Sequence, residues 1–142
     1  MVEKTLALVK PNGVEENHVG EILDFYEKAG LKILALKMIK VNKEFARQHY
    51  IDLKDKPFYQ ELVDFISRSP VVAMILEGES AVDAVRKING ATDPAEAEEG
   101  TIRYKYGSGK TDNTEHGSDS VEHAKREISM WFPEFLDSYL DD

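Results

Sequence analysis

Apolar periodicity in this chain switches repeatedly between the strand repeat and the helix repeat, with no long linker and no internal repeat, and that alternation restricts it to a sheet covered by helices. Thr5 to Val9 reads as a buried strand that runs into the turn Lys10-Pro11-Asn12-Gly13. Val19, Ile22, Leu23, Tyr26 and Ala29 share one helical face, and Gly30 supplies the stop. Leu31 to Val41 is a second strand, long and apolar, with lysines at its outer positions. Phe45 to Leu53 and Tyr59 to Ile66 read as short helices parted by Pro57, and Val71 to Leu76 as a third strand. Gly78-Glu79-Ser80 then leads into a helix from Ala81 to Ile88 that Ser80 and Asp83 could cap. Residues 89 to 113 are loop-like, and a last helix follows. The order reads βαβ, helices, βαβ, helix.

A length of 142 residues suits one domain, since a chain of this size buries roughly 68–70% of its unfolded surface. Eighteen Lys plus Arg against 27 Asp plus Glu leave a net charge of −9, which opposes nonspecific binding to nucleic acid or to anionic membranes. Any phosphate site must therefore be a local basic pocket. With no cysteine, disulfides, thiolate catalysis and Cys-ligated zinc are excluded. The apolar run Leu6 to Val9 is too short for a signal peptide or a membrane span. A soluble cytoplasmic protein is the simplest expectation.

The stretch from Asn113 to Glu122 delivers His116 just ahead of the last helix. Asp119 can cap that helix while Glu122 bonds back in capping-box fashion, and Val121, Ala124, Ile128 and Trp131 recur at helical spacing. A helix N-terminus offers free N–H groups and the positive end of the dipole, which suits phosphate. An imidazole there could attack a phosphoryl group. Glu127 falls on the flank of the apolar stripe beside Trp131, where a carboxylate is costly to desolvate and calls for a partner. A neutral histidine must keep one ring nitrogen for attack while a carboxylate behind it, or a hydroxyl such as Ser118, fixes the ring. Which nitrogen reacts is open at this level. The same spacing also fits an ordinary turn histidine and a solvated helix carboxylate.

A long aperiodic stretch inside a compact domain is more often functional than idle. Arg86 precedes residues 89–113, Thr92 and Arg103 lie within them and Asn113 closes them. Guanidinium groups near a nucleophile suit phosphoryl transfer, because each pairs two phosphate oxygens and offsets charge in the transition state, although most arginines are surface charges. Gly107-Ser108-Gly109-Lys110-Thr111 imitates the end of a P-loop, but the first glycine it requires falls at Tyr104, and no strand or helix flanks it. It reads as a flexible turn. His18, His49 and His123 are weaker candidates, with His18 and His123 best read as solvated surface residues; no pair has metal-ligand spacing.

Five ordered segments make the chain closely resemble the nucleoside diphosphate kinases, which move a terminal phosphate between nucleoside triphosphates and diphosphates. They are Leu8 to Val14, His49 to Phe58, Ser69 to Met74, Gly100 to Arg103, and the N-x-x-H-G-S-D-S signature at Asn113 to Ser120. The resemblance spans roughly residues 4 to 132 of a single kinase domain expected over residues 1–142. It implies an α+β, ferredoxin-like βαββαβ fold: an antiparallel four-stranded sheet with helices packed on it and a long nucleotide-site loop. It also implies a ping-pong mechanism through a phosphohistidine.

On the matching positions, His116 would be the nucleophile, with Glu127 and Ser118 holding its ring. Lys10 would reach the phosphate and a sugar hydroxyl, and Tyr50 would line the site. Arg86, Thr92 and Arg103 would bind phosphates, Asn113 the ribose, and Phe58 would stack on the base, a contact tolerant of base identity. The implied partners are ATP, ADP, GTP, GDP and their deoxy forms. Magnesium would arrive mainly on the nucleotide phosphates, with Asp119 in its outer shell and no closed protein cage. A homo-oligomer, tetramer or hexamer, is implied as well.

The chain departs from the family pattern at Asn12, where aspartate is more familiar, over Tyr104 to Asp112, at Glu115 beside the nucleophile, and in a short acidic tail after Pro133. Two rivals stand beside this reading. One is an RNA-binding module of the same topology, which the charge of −9 and the lack of an aromatic RNP strand oppose. The other is a catalytically silent homologue, which His116, Lys10, Arg86 and Arg103 argue against.

Overall fold

The computed structural model describes residues 1–90, 94–106 and 115–135. The elements run β1 (Val2–Val9), α1 (Pro11–Glu15), α2 (Val19–Lys28), β2 (Lys32–Ile39), α3 (Lys43–His49), a 3-10 turn (Ile51–Leu53), α4 (Tyr59–Ile66), β3 (Val71–Glu79) and α5 (Ala81–Asn89). A second 3-10 turn (Pro94–Glu96), α6 (Ile102–Tyr106), β4 (Glu115–Gly117), α7 (Val121–Trp131) and a last 3-10 turn (Pro133–Phe135) follow. The strands form one antiparallel sheet in the order β2-β3-β1-β4. This is the ferredoxin-like arrangement the resemblance implies.

Strand residues alternate between faces, and in β1 both faces are buried. Leu6 and Leu8 pack with Ala73 and Ile75 of β3 beneath α3, α4 and α7. Ala7 and Val9 pack with Val72, Met74 and Leu76 beneath α2, α5 and α6. Cover on both sides explains why β1 and β3 read as continuous apolar runs rather than alternating ones. Among the described residues no helix is long and apolar enough to cross a membrane.

The structure corrects several local expectations. The Lys10–Gly13 turn is the start of α1, with Pro11 at its first position, where a missing N–H costs nothing. Of the helix expected over Phe45 to Leu53, the α-helical part ends at His49 and Ile51–Leu53 is a 3-10 turn. Residues 89–113 are not all loop, because Ile102 is buried and Thr101 Oγ1 accepts from the Tyr104 N–H at 3.3 Å to start α6. Ser80 lies in the left-handed region at φ 48° and does not cap α5; instead Glu3 Oε1 of β1 accepts from the Val82 N–H at 3.2 Å. The N-cap of α7 is Ser120, whose hydroxyl accepts from the His123 N–H at 3.1 Å, and Asp119 and Glu122 are exposed outside that cap. The periodicity located three strands; β4, with three residues, had no apolar run to mark it.

Candidate active site

Register places the central histidine. His116 lies opposite Leu8 in the β1–β4 ladder, and directly opposed residues project to the same face. Leu8 belongs to the face that α3 and α7 cover, so His116 meets those helices, opposite a strand residue two before buried Lys10. Gly117 pairs with Ala7 and faces α5, where an added Cβ would come within 2.8 Å of Val85 Cγ1. The glycine after the histidine thus lets β4 close onto α5, the helix that carries Arg86. His116 is accordingly a strand residue, five positions before the first residue of α7.

Glu127 of α7 is 5% exposed, and its Oε1 takes two contacts, His116 Nε2 at 2.8 Å and the Ser118 hydroxyl at 2.8 Å. Burial pushes this carboxyl up, but the charge of His116, its hydrogen bond and those of its neighbours outweigh burial and bring the pKa down to about 2. The carboxylate is therefore ionised, and His116 Nε2 donates to it. Nδ1 remains as the ring nitrogen with no protein partner among the described residues. Ser118 steadies the carboxylate rather than touching the ring, and its backbone N–H continues the ladder to the Leu6 carbonyl at 3.2 Å.

Tyr50 is buried where α3 ends, and its hydroxyl has no hydrogen-bond partner among the described residues. Burial, and after it the Glu127 carboxylate, push its phenol well above the ordinary value, against the pull of Arg103. Arg86 and Arg103 come together along a cleft of about 660 Å³, which Asp83, Lys87, Glu96 and Thr101 also line. Its lining does not include His116, Lys10, Tyr50 or Phe58. Arg103 Nη1 donates to the Gly90 carbonyl at 2.8 Å, tying α6 to the end of α5. Gly90 makes this possible: its φ is +92°, and a Cβ there would sit 2.5 Å from Thr101 Oγ1. Phe58 is 43% exposed at the start of α4. Thr92 and Asn113 lie outside the described residues, as does the P-loop imitation at 107–111.

One neighbour of His116 went unrecognised as such in the sequence. His49 is 4% exposed, its ring centroid lies 4.7 Å from that of His116 at 74°, and its Nδ1 accepts from the Trp131 indole N–H at 3.1 Å. Burial, then the charge of His116, hold its pKa well below the usual imidazole range, and it is neutral. Its position beside Tyr50 in the His49 to Phe58 segment was the available signal. His18 is not simply solvated either, since it stacks on Tyr106 at 3.8 Å. His123 bonds Asp119 and approaches Asp52 at 3.5 Å, and Asp119 foremost raises its pKa. Among the described residues no group of His, Cys, Asp or Glu side chains could hold a metal by itself.

A buried carboxylate fixing one nitrogen of a histidine, in a fold that also brings two arginines to one cleft, is equipped for phosphoryl transfer. The sequence model of the nucleoside diphosphate kinase family matches residues 3–136. The nucleoside diphosphate kinase of Clostridium perfringens (strain SM101 / Type A) is 52% identical over 132 residues, covering 93% of this chain and 92% of that one. Nucleoside diphosphate kinase 1 of Saccharum officinarum is 49% identical over 95% of this chain and 91% of its own. Among solved structures, the Aquifex aeolicus nucleoside diphosphate kinase superposes with a TM-score of 0.91 at 44% identity, covering 93% of this chain and 96% of that one. A halophilic nucleoside diphosphate kinase from Halobacterium salinarum, solved in complex with CDP, gives a TM-score of 0.89 at 41% identity, covering 93% and 88%. On sequence and on fold, this chain belongs to the nucleoside diphosphate kinase family.

Proposed function

We propose that this chain passes the γ-phosphoryl group of a nucleoside triphosphate to a nucleoside diphosphate through His116. The carrying observation is the 2.8 Å contact between Glu127 Oε1 and His116 Nε2, which fixes the tautomer and leaves Nδ1 for attack. The Nδ1 lone pair forms a bond to the γ-phosphorus while the bond from that phosphorus to the β–γ bridging oxygen breaks, and the electron pair leaves with the diphosphate. The Nε2 proton stays on the ring, whose gained positive charge the Glu127 carboxylate offsets. The second half-reaction is the reverse, with another nucleoside diphosphate as acceptor, so one site serves both in turn.

Arg86 and Arg103 are positioned along the cleft to pair phosphate oxygens, and Lys10 supplies a further cation beside the histidine. In this reading Thr92 joins them on the phosphates and Asn113 binds the ribose, while Tyr50 walls the site. Phe58 stacks on the base, and stacking underlies tolerance of base identity; the CDP complex of the halophilic relative supports a site open to pyrimidines. The donor set fits magnesium carried by the nucleotide. Asp119 is an exposed carboxylate already bonded to His123, suited to an outer-shell contact through water and not to a cage. When bound, the ion would offset phosphate charge during transfer, with Asp119 the residue that would reach its water shell. The chain then acts as a single domain over residues 1–142, as a cytoplasmic homo-oligomer, tetramer or hexamer.

The test is intact mass after incubation with Mg·ATP at neutral or alkaline pH. One phosphoryl group should appear, survive alkali, be lost in acid, and be discharged by GDP. His116→Ala should bind nucleotide and gain no mass; phosphorylation of that variant would overturn the assignment.

A further inference from the structure

Helix α7 grips two histidines at once. Glu127 holds His116 by Nε2 at 2.8 Å, and Trp131, one turn further on, holds His49 by Nδ1 at 3.1 Å. The two rings cross at 74° with centroids 4.7 Å apart, and Tyr50 closes on His49 from another side at 4.7 Å and 73°. Arg126, the residue before Glu127, donates to the Gln48 carbonyl at 3.2 Å and ties the end of α3 to the same helix. Because Trp131 can only donate, His49 must accept at Nδ1 and carry its proton on Nε2. That Nε2–H is buried with no acceptor among the described residues. A buried N–H left unpaired is costly, so stability alone does not account for this ring.

We propose that His49 is a positioning residue for phosphoryl transfer: clamped by Trp131 and packed edge to face against His116, its ring blocks rotation of the His116 imidazole and keeps Nδ1 turned toward the nucleotide. The Glu127 contact is a pivot, since a ring held at one nitrogen can still swing about it. A second aromatic surface at right angles removes that freedom. His49 suits the place because it stays uncharged. Lys10, Arg126, Glu127 and His116 all face it, and burial keeps it neutral, so it adds no repulsion when His116 gains positive charge. This inference rests on His116 being the nucleophile.

Three variants separate ring from hydrogen bond. His49→Phe keeps the aromatic surface and orphans the Trp131 N–H; His49→Gln keeps an acceptor for Trp131 and loses the ring; Trp131→Phe removes the clamp. Single-turnover phosphorylation by Mg·ATP and the melting temperature are measured for each, with wild type and His116→Ala alongside. The expected outcome is an inversion. His49→Phe melts lower yet phosphorylates within about twofold of wild type, whereas His49→Gln is the slower by about tenfold or more, with KM for ATP unchanged. Trp131→Phe falls between them in rate. A His49→Gln enzyme with wild-type rate, or rates that simply follow melting temperature, would overturn the proposal. A wild-type protein that takes no phosphate on His116 would instead sink the reading of the site itself.

Discussion

Glu127 on α7 and His116 on β4 stand 11 residues apart in the chain and are joined by a 2.8 Å contact between Oε1 and Nε2. The contact settles the tautomer of one residue and the charge of the other. Replacing Glu127 with Gln keeps the shape and removes the charge. A hydrogen bond to a charged group is worth about 1.5–3 kcal/mol, so phosphoryl uptake measured by quenched flow should fall about ten- to a hundredfold. Uptake at the wild-type rate would show that the carboxylate does not act on the ring.

The same pair links stability to acid. The Glu127 carboxyl moves from 4.5 to about 2 on folding, so the folded state releases its proton more readily than the unfolded state. That stabilisation is fully present above pH 4.5 and is lost as pH falls toward about 2; it amounts to something on the order of 3 kcal/mol. Denaturant melts of wild type and Glu127→Gln should therefore differ most above pH 4.5 and converge below it. A constant difference across that range would contradict the assignment.

Gly90→Ala should damage both fold and nucleotide affinity. The backbone at φ +92° disfavours a side chain, and the new methyl would lie 2.5 Å from Thr101 Oγ1. We expect a loss of about 1–3 kcal/mol in stability. KM for nucleotide should rise, because the Gly90 carbonyl anchors Arg103. Adding Thr101→Ala should not restore the stability, because the Thr101 Cβ, 2.8 Å from the new methyl, remains and the hydroxyl that starts α6 is lost.

Caps on α7 can be separated by two alanine variants. Ser120→Ala removes the hydroxyl that accepts from the His123 N–H and should cost about 1 kcal/mol. Asp119→Ala leaves that bond intact and should cost less in thermal melts. The reverse ranking would restore Asp119 as the cap.

These variants also mark where sequence reasoning reached and where it stopped. Periodicity located β1, β2 and β3 because their apolar runs are long, and it located the buried Glu127 because a carboxylate on the flank of an apolar stripe must have a partner. It could not locate β4, whose pairing depends on Leu8 and Val9, residues far away in the chain. It placed the α7 cap one residue early because Asp119 and Ser120 both have capping chemistry, and only backbone geometry chooses between them. His49 was passed over for a related reason. Its importance comes from Trp131 and His116, 82 and 67 positions away, and nothing local to α3 records them. Glu3 serving α5 is the same kind of relationship, a cap supplied by a strand rather than by the residue before the helix.

Strand β4 is three residues long, lies at the edge of the sheet and is laddered only to β1. Short edge pairings are among the first parts of a structure to open, at free energies below that of global unfolding. His116 therefore rides on the seam expected to part first on warming, while the two-sided core around β1 and β3 holds. Assays at temperature should show reversible inactivation some degrees below the loss of helical circular dichroism, so that the protein's thermal limit as a catalyst is a property of one short strand and its limit as a folded body a property of the core.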